Sequence, residues 1–552
     1  MSFHRLVPFR ASALALLIAC STARAQIHEE ATLPGLEAGI VFWSGSDPVQ
    51  NGTRHPELFH PISPADEAGT GDFSLSLFAA VGSASANEEQ IVAKHNGKSG
   101  WKLVETSEGA LKFIADSGLN GDAYLMETPP RVVAGRKNPH IVVSIHRDAR
   151  QPYSGIWVDG VEVASGMMPP ISLSTPGTEV LCGNAFVPVD LRIYNRALTR
   201  PEILDLMLLR SGDKPKPKHP VPPPGGPRFI PQQDETIALI GGTEAVALAE
   251  SGELEALLLM AFPQTRFHFR CLAWEGDTVF RQDRPMNFGS LEQQLRRVNA
   301  GAVFVMFGRQ ECLDAAQATR SGDWQSPTKA PSAKPQASEA SKNGAARAGK
   351  DGDYQSPLLE FKTAFEKLLA TVEKVTPNIV VIGPWDFERK AAPFPDLREV
   401  NQVLIHSYAP AMGEICHAHQ IIFANEDELM QSPKEPWTRD GVTFTRYGLR
   451  LMTDGISMLL NMRVTESAVA QGPTDSPLIS ATRAKNRLWH DYWRPSNWAF
   501  LHGDRTNQPS SRDPVNPQLR FFPAEQEKYL PLIKDAEDKV FNLVQEAQKK
   551  LP

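Results

Sequence analysis

A proline-rich segment divides the chain into two parts whose hydrophobic patterns differ. Residues 211–233 read SGDKPKPKHPVPPPGGPRFIPQQ, a composition that favours an extended, semi-rigid spacer because it offers no means of building a core. Residues 33–210 contain short runs with strand-like alternation, whereas residues 234–545 contain apolar strands that alternate with amphipathic helices. A chain of 552 residues with this organisation is predicted to fold as two domains joined by the proline-rich linker.

The first part reads as an all-β domain. Asp72–Val81 and Ile141–Ile145 have strand-like alternation or β-branched content, and clusters of Gly, Asn and Ser lie between such runs. The strongest local signal is Ile156–Val163, in which apolar residues alternate on both sides of Asp159 and Gly160. Both of these residues tolerate the positive φ of a type I′ hairpin turn. Many short strands at this spacing predict a sandwich or a barrel.

The end of this region resembles a known family. Residues 190–206 read DLRIYNRALTRPEILDL and follow a WVDGVEV hairpin. Thr199 and Glu202 have the spacing of a helix capping box, so a short helix is expected over Pro201–Leu209. This arrangement is similar to a laminin-G-type, concanavalin A-like jelly roll. The resemblance implies a binding module, often for glycans or for protein partners.

From Thr236 onward the pattern alternates between strands and helices. The predicted strands are Thr236–Ile240, Phe267–Leu272, Ala302–Phe307, Ile379–Gly383 and Ile421–Ala424. The predicted helices are Glu244–Met260, Phe288–Val298, Pro357–Val375, Val400–His417 and Arg446–Met462. Such alternation is typical of a parallel, doubly wound α/β sheet, in which sites form at the carboxyl ends of the strands. Residues 315–356 interrupt it and are predicted to be a disordered, low-complexity insertion.

Short polar and glycine-rich blocks follow the first three predicted strands of this second part and precede its last predicted helix. They are Gly241-Gly242-Thr243-Glu244, Trp274-Glu275-Gly276-Asp277, Gly308-Arg309-Gln310-Glu311 and, before the last helix, Asp440-Gly441-Val442-Thr443. Their order and spacing resemble the SGNH (GDSL-type) hydrolase family. The later segments KNRLW and WRPSN, between residues 485 and 497, are similar to the tail of large secreted SGNH proteins of planctomycete-type bacteria. The resemblance covers about residues 234–545 and implies a flavodoxin-like α/β fold that acts on ester bonds.

The resemblance also implies catalytic roles. In that family the four blocks supply a nucleophilic Ser, an oxyanion Gly, an oxyanion Asn and an Asp-x-x-His pair, so that His deprotonates the Ser while Asp orients the imidazole. The corresponding positions here are Thr243, Gly276, Gln310, Asp440 and Thr443. Three of these five, the first, the third and the last, differ from the family residue. Without an imidazole beside it, an alcohol is not readily deprotonated.

These departures leave three functions open. The first is an exported protein whose sandwich binds carbohydrate or a partner and whose hydrolase site is impaired or inactive, a pseudoenzyme. The second is an active carbohydrate or acetyl esterase in which Thr243 is the nucleophile and Glu244 or Glu311 is the base. The third is a structural envelope protein. Trp274, Glu311, Trp493 and Asn497 are the candidates for substrate binding, and no metal or other cofactor is predicted.

The first 25 residues read as an export signal. Arg5 and Arg10 precede a short apolar run, and the motif ARA at 23–25 is a cleavage site. The alternative is a lipobox that ends in Cys20 and leaves the protein lipid-anchored. The net charge of −7 disfavours nucleic acid as a partner, and no later apolar run reaches the roughly 20 residues of a transmembrane helix. The expected location is therefore periplasmic or extracellular, with a glycan or an envelope protein as partner.

Overall fold

A computed structural model of the chain describes residues 36, 38, 40–43, 67, 69–80, 87–118, 123–134, 136, 138–147, 152–169, 171–183, 187–210, 216–321, 355–390, 393–425, 435–462 and 476–549. The predicted export signal with Cys20, residues 211–215 of the linker and residues 322–354 of the insertion lie outside these ranges. The described chain forms two compact units. The first extends to Gly212 and includes Arg505–Ala524, and the second comprises Asp213–Asp504 and the residues from Glu525 onward. Residues 505–524, assigned to the α/β domain by the sequence analysis, thus lie in the first unit.

The first unit is a sandwich of two antiparallel sheets. Its strands are β1 (Ile40–Trp43), β2 (Phe73–Ala80), β3 (Glu89–His95), β4 (Ser99–Glu105), β5 (Leu111–Ser117), β6 (Ala123–Glu127), β7 (His140–His146), β8 (Tyr153–Val158), β9 (Val161–Gly166), β10 (Leu181–Cys182) and β11 (Val187–Tyr194). The order in the six-stranded sheet is β1-β11-β2-β7-β8-β9, and in the five-stranded sheet β10-β3-β4-β5-β6. The predicted all-β sandwich is confirmed.

Local sequence accounts for several of its features. Alternate residues such as Leu75, Leu103 and Phe113 enter one shared core between the two sheets. The hairpin between β8 and β9 turns at Asp159 and Gly160, whose φ angles of 49° and 75° are those that a type I′ turn requires. Helix α1 (Arg200–Arg210) follows the last strand.

The second unit is built on a parallel sheet of five strands. They are β12 (Glu235–Gly241), β13 (Phe267–Cys271), β14 (Ala300–Met306), β15 (Ile379–Ile382) and β16 (Ile422–Ala424), in the spatial order β13-β12-β14-β15-β16. This order, 2-1-3-4-5, is that of doubly wound flavodoxin-like sheets. Phe304 enters the core on one face of the sheet, and Val303 and Val305 enter the core on the other. The predicted parallel α/β sheet is confirmed.

The helices after the linker are α2 (Thr243–Ser251), α3 (Glu253–Ala261), α4 (Leu291–Arg297), α5 (Arg309–Ser321), α6 (Gln355–Glu373), α7 (Arg398–Val403), α8 (Ala409–Ala418), α9 (Arg446–Leu459), α10 (Pro477–Trp493), α11 (Trp498–Leu501), α12 (Phe521–Glu527) and α13 (Tyr529–Lys549). A π-helical segment, Leu404–Tyr408, joins α7 to α8, and a 3₁₀ turn spans Pro509–Ser511.

Three predictions about helices differ from the structure in detail. The helix predicted over Glu244–Met260 is interrupted at Gly252, whose left-handed φ of 73° ends α2 and starts α3. The helix predicted over Val400–His417 contains the π-helical segment. The insertion predicted from residue 315 begins as helix, because α5 continues to Ser321. These helices were predicted from the period of their hydrophobic residues. That period stays the same whether a glycine such as Gly252 breaks the helix or packing extends it.

Candidate functional site

The carboxyl ends of β12, β14 and β15 surround an open depression of about 360 Å³. Its lining residues are Gly242, Glu244, Asp277, Met306, Phe307, Arg309, Gln310, Glu311, Ile382, Gly383, Pro384, Trp385 and Met452. The depression lies beside the boundary between β12 and β14, where the strand order reverses and where doubly wound sheets bind their ligands. Three of the four predicted blocks contribute lining residues.

Arg309 is the central side chain of this depression. Its guanidinium is buried and donates hydrogen bonds to Oε1 of Glu244 and to the carbonyl oxygen of Val442, each at 2.8 Å. Its Nε donates to the carbonyl oxygen of Trp385 at 2.9 Å, and its guanidinium carbon lies 4.1 Å from the centre of the Phe387 ring. Arg309 therefore connects the start of α2, the loop after β15 and the loop before α9.

Sequence reasoning missed this residue. The family resemblance gave a role to Gln310 in this block and none to Arg309, whose partners Glu244, Trp385 and Val442 lie 65, 76 and 133 residues away in the chain. No local pattern signals pairings over such separations. The one available signal was an arginine two residues after a predicted buried strand, where an unpaired charge is unfavourable.

Thr243, the predicted nucleophile, is the exposed first residue of α2. Within the described residues its hydroxyl forms no hydrogen bond with a carboxylate or an imidazole. The neighbouring carboxylate of Glu244 is bound by Arg309. Among the described residues that line the depression there is no histidine. No base among the described residues is thus hydrogen-bonded to this alcohol.

Gly276, the predicted oxyanion donor, lies in the exposed loop after β13. Its φ of 79° is left-handed, and a Cβ there would meet no atom within 4 Å. The next residue, Asp277, is buried and is held by Arg284 through two hydrogen bonds of 2.8 Å. A Cβ on Gly242 would approach the carbonyl oxygen of Asp277 to 2.8 Å, so the loops after β12 and β13 touch at a glycine.

Gln310 and Glu311 both line the depression, but their polar groups are engaged elsewhere. Nε2 of Gln310 donates to Oδ1 of Asp314 at 2.7 Å, one turn further along α5. The carboxylate of Glu311 accepts hydrogen bonds from the backbone amides of Val279 at 2.8 Å and Gly308 at 2.7 Å. Burial raises the pKa of Glu311 to about 7 despite these hydrogen bonds. Glu311 thus fastens the loop after β13 to the end of β14.

Asp440 and Thr443 bind each other. Oγ1 of Thr443 donates to Oδ2 of Asp440 at 2.9 Å, and its backbone amide donates to Oδ1 at 2.7 Å. Partial burial raises the pKa of Asp440, but these bonds and that from the amide of Val442 outweigh it and leave the pKa below its usual value. The side chain of Thr443 completes a local turn at the surface.

The other three substrate-binding candidates lie outside this depression. The guanidinium groups of Arg284 and Arg494 lie over the ring of Trp274, at 4.8 and 4.4 Å from its centre. Trp493 is only 2% exposed and borders a separate depression of about 330 Å³. The carbonyl oxygen of Asn497 accepts hydrogen bonds from the backbone amides of Phe500 and Leu501 in α11. None of these three residues lines the depression at the strand ends.

Two further searches concern metals and membranes. In the part of the chain that the structure describes, no group of three or more His, Cys, Asp or Glu side chains could hold a metal ion. Nor does any helix of the described ranges have the length and apolar character needed to cross a bilayer.

Comparison with known proteins identifies the fold of the first unit. Residues 60–204 match the model of the concanavalin A-like lectin/glucanases superfamily. The first unit therefore contains a concanavalin A-like, lectin-fold domain, as the sequence predicted. A search of the curated proteins finds no match.

Solved structures were compared as well. The receptor-binding domain of botulinum neurotoxin D is 17% identical with a TM-score of 0.22, over 25% of this chain and 37% of that one. The binding domain of botulinum neurotoxin serotype C1 is 12% identical with a TM-score of 0.26, over 32% and 53%. The chain thus spans less than two thirds of either relative, and likenesses this weak carry no argument about function.

Proposed function

We propose that this protein is an exported, SGNH-hydrolase-like protein whose β-sandwich binds carbohydrate and whose α/β site no longer hydrolyses esters. The observation that carries the proposal is the ion pair between Arg309 and Glu244 inside the depression. Glu244 is the carboxylate next to Thr243 in sequence, and its Oε1 accepts a hydrogen bond from Arg309 rather than from the Thr243 hydroxyl. Acyl transfer by an alcohol needs a base in contact with its hydroxyl.

The remaining predicted catalytic groups support the same conclusion. The side-chain amide of Gln310 donates a hydrogen bond to Asp314. The hydroxyl of Thr443 donates a hydrogen bond to the carboxylate of Asp440. An oxyanion donor acts through its position at the developing charge, and losing one such donor costs about a hundredfold to a thousandfold in rate. Both the base and one oxyanion donor are thus diverted from the chemistry that the family resemblance implies.

The carbohydrate-binding part of the proposal is supported by the fold of residues 60–204, which match a superfamily described by its lectins and glucanases. Fold alone does not determine function, so binding has to be measured. The sequence pattern of the first 25 residues supports the exported location.

Hydrolysis is tested on the intact mature chain with p-nitrophenyl acetate and a fluorophosphonate probe. We expect turnover no greater than that of Thr243→Ala, and no labelling that depends on Thr243. Stoichiometric labelling that disappears in Thr243→Ala would contradict the proposal and support the active-esterase interpretation.

Binding is tested on a glycan array, again with the intact chain, because Arg505–Ala524 belongs to the first unit and a fragment of residues 33–210 would lack it. We expect a signal confined to one class of glycan and abolished by heat denaturation. A signal at background on every glycan would refute carbohydrate binding and leave protein partners.

A further inference from the structure

Residues 505–524, which we call the strap, pair with an edge strand of the sandwich. Leu519 forms an isolated antiparallel bridge with Ala164 of β9. The backbone amide of Ser165 donates to the carbonyl oxygen of Gln518 at 2.9 Å. The outer hydrogen-bonding groups of β9, which is the last strand of the six-stranded sheet, are thereby partly used by the strap.

The strap also reaches the second sheet. Nε2 of Gln518 donates to the carbonyl oxygen of Leu125 at 2.8 Å, and Leu125 lies on β6, the last strand of the five-stranded sheet. Nη1 of Arg512 donates to the carbonyl oxygen of Ser165 at 2.5 Å. The strap therefore covers the edges of both sheets at the side where β6 and β9 end them.

A buried ion pair holds the end of the strap. Arg520 pairs with Glu162 of β9, and the two side chains are 0% and 4% exposed. Arg512 and Arg200 are the other charged groups that act on Glu162, and Ser165 lies beside it. Removing one partner of a buried pair leaves the other charge buried without compensation, which is strongly unfavourable.

Regular structure is sparse in the strap. It consists of one 3₁₀ turn, one bridge and the first four residues of α12, and Val515 near its middle is 93% exposed. Segments with few buried side chains and few backbone bonds open at a lower free energy than the core of their domain. Arg520, at 2% exposure, is the most buried charged side chain of the strap.

We propose that residues 505–524 are a detachable strap of the β-sandwich and that the Arg520–Glu162 pair is its latch. When closed, the strap protects two sheet edges whose free amide and carbonyl groups would otherwise pair with other strands. When open, it leaves the backbone amide of Ser165 exposed to solvent. This device is independent of whether the sandwich binds carbohydrate and of whether the α/β site hydrolyses esters.

Hydrogen exchange of the intact chain tests the proposal. In the wild type, the amide of Ser165 should exchange faster than that of Leu103 in the sandwich core, because the strap opens without unfolding the sheets. Arg520→Met should accelerate exchange at Ser165 by at least about tenfold and leave Leu103 unchanged. The matched control is Lys112→Met, which removes a partly exposed ion pair with Glu88 in the same unit and should change neither rate.

Equal exchange rates at Ser165 and Leu103 in the wild type would show that the strap opens only with the whole domain, and would overturn the proposal even if Arg520→Met does not fold. Glu162→Gln is the reciprocal variant. If either variant folds and leaves the exchange at Ser165 as slow as in the wild type, the pair is not the latch.

Discussion

Nη1 of Arg309 lies 2.8 Å from Oε1 of Glu244, in a depression at the carboxyl ends of three parallel strands. The same nitrogen holds the carbonyl oxygen of Val442, in the loop that carries Asp440 and Thr443. One guanidinium thus links the two loops from which the family resemblance drew the nucleophile and the Asp-x-x-His pair. We interpret Arg309 as the group that makes this end of the sheet a rigid scaffold.

Arg309→Met is expected to destabilise the α/β unit by about 3 kcal/mol, because it leaves the largely buried Glu244 without a partner. Urea unfolding followed by tryptophan fluorescence measures the change. The control is Arg281→Met, which removes an exposed ion pair with Asp283 and should leave the midpoint unchanged. Equal midpoints for the two variants would show that Arg309 has no such role.

Glu311 should make the stability of the α/β unit depend on pH. Its pKa in the folded protein is raised from 4.5 to about 7 by burial, so the folded state favours the protonated form. The stabilisation is fully present below pH 4.5 and is lost as the pH rises through about 7, on the order of 3 kcal/mol in total.

Glu311→Gln should remove this pH-dependent stabilisation. In the variant and in the wild type it is measured as the unfolding free energy at pH 4.5 minus that at pH 8. Glu414→Gln, at a glutamate whose side chain is 72% exposed, should keep the wild-type difference. A Glu311→Gln profile parallel to that of the wild type would contradict the prediction.

Lys485, in the KNRLW segment, is expected to be structural. Its side chain is fully buried, with Nζ 2.8 Å from Oε1 of Glu255 and 3.2 Å from the carbonyl oxygen of Phe269. Lys485→Met should cost about 3–5 kcal/mol in urea unfolding, because Glu255 remains buried and unpaired. Adding Glu255→Leu should recover part of that loss. Additive effects of the two substitutions would show that the pair is not coupled.

Trp493 is expected to stabilise the fold rather than to contact a sugar. It is 2% exposed and stacks on Trp489 with ring centres 5.2 Å apart. Trp493→Ala should lower the unfolding free energy by about 3–5 kcal/mol. Phe394→Ala, at a ring that is 40% exposed, serves as the control with a much smaller effect. An unchanged stability in Trp493→Ala would return this residue to the candidates for ligand binding.

Much of the fold was predictable because it is encoded over short stretches of chain. Period-two alternation marked strands such as Phe73–Ala80, and buried runs marked β14 and β15, close to their observed limits. The pair Asp159 and Gly160 indicated its hairpin because only certain residues adopt positive φ at low cost. The break at Gly252 was missed because the apolar residues continue on both sides of it.

The candidate site was predictable only as a location. Strand ends in a doubly wound sheet converge on one edge, so the blocks after β12, β13 and β14 had to meet there. Which groups are free to act there was not predictable. Gln310 is bound to Asp314 and Glu244 to Arg309, and these choices depend on the positions of whole loops.

The sequence alone determined that this chain has an all-β part and a parallel α/β part, since hydrophobic period and turn residues act within a few positions of one another. Only the tertiary structure decided that Arg309 binds Glu244, that Trp493 is buried, and that residues 505–524 close the edge of a sheet formed more than 300 residues earlier. Such contacts are selected by burial and by charge pairing between distant segments once the chain is folded. No local pattern records them.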